Sequence, residues 1–67
     1  MDEEILNRSL RRFLKTLGVN AQREIETAVR SAAADKRLPD KPLQATAEIH
    51  IREIDFHFKL NTDIQSS

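Results

Sequence analysis

Apolar residues in the first third of the chain recur at helical spacing. Ile5, Leu6, Leu10, Phe13, Leu14 and Leu17 form one stripe, with the small Ser9 inside it. This predicts a helix from about residue 3 to 17. Asp2 is placed to cap it, Glu3 and Glu4 complement the positive end of its dipole, and Lys15 stands near the negative end. Gly18 suits the left-handed position that closes a helix, with Val19 set to touch Leu14 across the turn. After Asn20, a good N-cap, the smaller residues Ala21, Ile25, Ala28, Val29 and Ala32 predict a second helix. It ends between Ala34 and Leu38, because Pro39 stops any continuation.

From Leu43 the period changes to two. Leu43, Ala45, Ala47, Ile49 and Ile51 alternate with Gln44, Thr46, Glu48, His50 and Arg52, as in a strand with one buried face. The phase slips at Arg52-Glu53, and Ile54, Phe56, Phe58 and Leu60 carry the pattern on at even numbers. A hairpin with its loop near residues 52 to 55 explains the slip, with a bulged continuous strand as the alternative. With a four-residue loop, Ile51 opposes Phe56 and His50 opposes His57. The polar residues after Asp63 read as a frayed tail, so residues 62–67 lie outside the packed domain. The fold class is α+β: two amphipathic helices on one face of a C-terminal antiparallel hairpin (ααββ), in a single domain of residues 1–67. The expected core is Ile5, Leu10, Phe13, Leu14, Leu17, Ile25, Val29, Ile49, Ile51, Phe56 and Phe58.

Length turns this pattern into an expectation of self-association. A chain of 67 residues is marginal as a monomer, and the absence of cysteine removes disulfides and thiolate metal sites as remedies. Each strand of a lone ribbon has an unpaired edge, and Pro39 and Pro42 lie outside the strands. The expectation is a homodimer that extends the sheet, with Ile54, Phe56, Phe58 and Leu60 along the docking strand.

Charge narrows the partners only a little. Eleven basic and eleven acidic residues cancel, which leaves no global field for nucleic acid or membrane. The acidic start, Met1-Asp2-Glu3-Glu4, and the lack of a long apolar run argue for a cytoplasmic protein with no membrane association. Arg8, Arg11, Arg12 and Lys15 lie three or four residues apart, opposite the first apolar stripe. They are the candidate surface for an anionic partner, an acidic protein or a nucleic acid, although zero net charge favours a merely solvated face.

Candidate chemistry is sparse. The serines are Ser9, Ser31, Ser66 and Ser67, none in a nucleophile elbow, and the single glycine cannot build a phosphate loop. The chain is read as a non-enzyme with no cofactor. His50 and His57 share the polar face of the predicted hairpin near Glu48, Asp55 and Lys59, which makes them candidate metal ligands. The plainer alternative, a solvated sheet face without metal, is preferred because the spacing is not diagnostic. The helix pair also invites comparison with a helix-turn-helix, but Leu14, Glu24 and Thr27 stand where that motif needs small and apolar residues.

Arg12-Phe13-Leu14-Lys15, Leu17-Gly18-Val19, Gln22-Arg23-Glu24-Ile25-Glu26 and Ala28-Val29-Arg30, with a looser match from Ala45 to Leu60, resemble a family of small uncharacterised bacterial proteins of about this length. The resemblance implies a cytoplasmic bacterial protein and supplies no activity, cofactor or site residue. The family's pattern places glycines in the ribbon where this chain has Glu53 and Asp55. The functional reading is therefore a non-enzymatic interaction or structural protein working as a homo-oligomer, with a further protein partner as an additional candidate. A binder of nucleic acid or acidic protein through the basic helix face is the first alternative, and a metal-binding sheet face the second.

Overall fold

A computed structural model describes residues 1–66. It is α+β, built from one helix, α1 (Glu3–Ala34), and two strands, β1 (Leu43–Ile51) and β2 (Phe56–Ile64). Asp2 caps α1 as its position implies: its carboxylate accepts from the backbone N–H of Glu4 at 2.9 Å and of Ile5 at 3.2 Å.

The two expected helices are one. α1 runs unbroken through Gly18 and Asn20 for 32 residues, and Gly18 does not take a positive φ. Leu6, Leu10, Phe13, Leu17, Ala21, Ile25, Ala28 and Ala32 follow one another at steps of three or four, so the two stripes continue the same face. Breaking the helix there would free backbone donors and acceptors on both sides of the break. Keeping glycine in a helix interior costs only about 1 kcal/mol relative to alanine.

The chain takes up the left-handed conformation at Lys36 instead, with φ 58°. Arg37 N–H donates to Ala32 O at 2.8 Å and Lys36 N–H to Ala33 O at 3.1 Å. This pair of bonds is the Schellman closure expected at Gly18, displaced to the end of the alanine run.

The hairpin is the one the alternation predicts. β1 and β2 pair antiparallel with Ile51 opposite Phe56, His50 opposite His57, Ile49 opposite Phe58 and so on to Leu43 opposite Ile64. Residues 52 to 55 form the turn, a short 3₁₀ segment at Arg52–Ile54 followed by Asp55 at φ 53°, ψ 41°. Aspartate tolerates that left-handed geometry better than most residues, and glycine tolerates it best. Pairing continues into the segment read as a tail: Thr62, Asp63 and Ile64 stand opposite Ala45, Gln44 and Leu43.

A 32-residue helix is about 48 Å long, and the chain measures 51 × 20 × 18 Å. The hairpin therefore lies alongside the helix rather than extending it. Burial shows how the two layers meet. Ala21, Val29 and Ala32 of α1 and Leu43, Ala45, Ile49 and Ile51 of β1 are half-buried, whereas Phe56, Phe58 and Leu60 of β2 are exposed. The second half of the helix thus covers the β1 side of the ribbon and leaves most of β2 open. The expected closed core is absent: no described residue is buried, and Phe13, Leu14, Leu17 and Ile25 are all 42–53% exposed. One helix lying along a two-stranded ribbon has too few neighbours to enclose either apolar face.

Candidate functional site

Three surfaces collect the candidate residues. The first is the polar face of the ribbon, where cross-strand pairs form a ladder. Gln44 donates to Asp63 at 2.7 Å and Thr46 to Asn61 at 2.8 Å. The ladder departs from its register at Glu48. Glu48 stands opposite Lys59, yet its carboxylate lies 3.1 Å from His57 Nε2 on the diagonal.

His50 and His57, directly opposite, stack with ring centroids 4.4 Å apart and planes 11° from parallel. The donor atoms of Glu48, His50 and His57 all fall within 4.8 Å of one another, and all three residues are exposed. Period-two alternation alone placed both imidazoles on this face. Of the nearby polar residues, Glu48 joins them, while Asp55 goes to the turn.

The second surface is the basic side of α1. Arg8, Arg11, Arg12 and Lys15 are exposed there. Arg8 and Arg12 flank one shallow depression with Ile5 and Ser9, and Arg8 and Arg11 another with Glu4 and Asn7. The ion pair along the helix lies further on, between Glu26 and Arg30 at 3.4 Å. The four basic residues are exposed along the first half of the helix.

The third surface is apolar. Leu6, Leu10, Phe13, Leu14 and Leu17 on the first half of α1 are 41–53% exposed, and Ile54, Phe56, Phe58 and Leu60 are 42–68% exposed. Phe56, Phe58 and Leu60 lie on the ribbon face that α1 only partly covers, and Ile54 sits in the turn. A shallow groove at the open end of the ribbon is lined by Ile25, Val29, Leu43 and Ile64 with Glu26 and Arg30 at its rim. Sequence reasoning does not single out that groove, because Ile25 and Val29 read as core, Leu43 as the start of a strand, and Ile64 as part of the tail that the structure pairs into β2.

No helix is long and apolar enough to cross a membrane among the described residues. Comparison with curated proteins and with solved structures finds no match. A family profile does match, and it spans residues 1–67. The chain, in which the helical half and the ribbon are both covered by that match, belongs to the family of unknown function DUF6494.

Proposed function

We propose that this protein is a non-enzymatic structural or interaction module that works as a homodimer through its uncovered apolar surface. The observation that carries the reading is area. The isolated chain exposes 6389 Å² and buries no described residue. A folded monomer of 7.7 kDa is expected to expose about 4,300 Å². The excess is about 2,000 Å² per chain on that scale, or about 4,000 Å² for a pair, within the range of obligate homodimer interfaces.

The uncovered residues are of the kind such an interface uses. Phe13, Phe56, Phe58, Leu10, Leu17 and Leu60 are large and apolar, and they lie on two strips, one along the first half of α1 and one along β2, rather than scattered singly. A two-fold axis beside β2 lets each copy present both strips to the other, so one patch meets itself and neither is left wet. The open edge of β2 offers backbone donors and acceptors for the same union.

Sedimentation equilibrium over a hundredfold concentration range tests the proposal. The expected result is a dimer that dissociates only on dilution. A chain that stays at monomer mass up to about 0.5 mM, near the weak limit of a specific interface, refutes it.

A further inference from the structure

We propose that Glu48, His50 and His57 form a binding site for a borderline divalent transition-metal ion of the zinc, nickel or copper class, on the ribbon face that points away from the helix. The three side chains stand on the polar face of the ribbon and belong to neither apolar strip.

Three observations on the hairpin carry the inference. The first is the donor set. Two neutral imidazoles and one carboxylate suit zinc and its neighbours in the first transition row, and they are a poor set for magnesium or calcium, which prefer oxygen throughout. Three protein ligands leave a fourth tetrahedral position to water.

The second is distance. Metal–ligand bonds of about 2.0 to 2.1 Å in a tetrahedron separate neighbouring donors by about 3.3 Å. His57 Nε2 and Glu48 Oε1 already stand 3.1 Å apart, and all three donor atoms fall within 4.8 Å. Closing the remainder takes about 1.5 Å at most, which rotation of exposed side chains supplies without moving the backbone. The hydrogen bond between His57 and Glu48 is then replaced by two bonds to the cation.

The third is placement. His50 and His57 form the second cross-strand pair from the turn, after Ile51 and Phe56. That is the part of a hairpin best held by the short loop and furthest from its fraying ends. Glu48 reaches diagonally across from the same strand as His50, so two strands supply the ligands. An ion bound there cross-links β1 to β2.

Spacing along the sequence carries no metal signature, whereas the folded hairpin gathers the donors. The register puts the chain's only two histidines face to face, and Glu48 turns to His57 rather than to Lys59, which stands opposite it.

The test titrates the full chain with Zn²⁺, following heat and the histidine ring resonances. The expected result is one saturable site per chain, with both imidazoles shifting together and Mg²⁺ without effect. His50→Gln and His57→Gln should each weaken binding by about tenfold or more, and Glu48→Gln by less than either. Far-ultraviolet circular dichroism checks that each variant folds, and the paired ring shifts of the parent chain decide the question should a variant fail that check. Absence of saturation by about 100 µM Zn²⁺, a range within which specific sites saturate, overturns the proposal. So does a shift of one ring alone, or binding that survives the double His50→Gln, His57→Gln variant.

Discussion

The backbone N–H of Arg37 donates to the carbonyl oxygen of Ala32 at 2.8 Å, a bond that requires Lys36 between them to stand at φ 58°. A lysine in the left-handed region carries a Cβ penalty of about 1 kcal/mol that glycine escapes. Lys36→Gly is therefore expected to stabilise the chain by about 0.5 to 1 kcal/mol, even after the larger entropy of glycine in the unfolded chain is subtracted. Urea unfolding at a fixed chain concentration measures it. A loss of stability would mean that the helix does not close through Lys36.

Gly18 supplies the complementary experiment. It lies inside α1, it has no positive φ, and a Cβ added there meets nothing within 4 Å. Gly18→Ala should raise stability by about 0.8 to 1 kcal/mol and increase helicity at 222 nm. In two helices joined by a left-handed turn at this glycine, the same substitution would be destabilising, so the sign of the change distinguishes the two architectures.

Phe13 separates a monomer core from an interface. A fully buried phenylalanine costs about 3 to 5 kcal/mol when cut to alanine, but Phe13 is 47% exposed in the isolated chain. Phe13→Ala should change the stability of the dilute monomer by about 1 kcal/mol or less, scaling with the smaller area lost. Its larger effect should fall on association, raising the dimer dissociation constant by about tenfold or more. Unfolding midpoints at two chain concentrations, read beside sedimentation, report both. An equal loss at both concentrations, with association unchanged, would return Phe13 to a monomer core.

Arg8, Arg11, Arg12 and Lys15 should not hold nucleic acid at physiological salt, because eleven acidic residues offset all eleven basic ones and phosphate contacts weaken steeply with salt. Retention on a nucleic-acid column above about 0.2 M salt, lost on reversing Arg11 and Arg12, would show the opposite, since it takes several phosphate contacts.

Much of this architecture is written locally. Asp2 caps the helix because a carboxylate before two acidic residues satisfies free N–H groups wherever the helix goes. The hairpin register follows from an apolar phase that changes parity between Ile51 and Ile54, because a strand shows alternate residues to opposite faces. The same alternation, with a four-residue loop, puts His50 opposite His57.

What the sequence left open is decided by relations between elements. Gly18 is compatible both with a helix end and with a helix interior, and only the continuity of the stripe from Leu17 to Ala21 against the rest of the chain chooses between them. The same holds for the core. Phe13, Phe56 and Phe58 have the character of buried residues, yet one helix lies over β1 and leaves most of β2 uncovered, so their burial is not settled within the chain. Glu48 could pair with Lys59 or with His57, and side-chain packing on the ribbon takes it to His57. Local propensities act over a few residues, whereas coverage of an apolar face depends on where a second layer sits, which no single segment encodes.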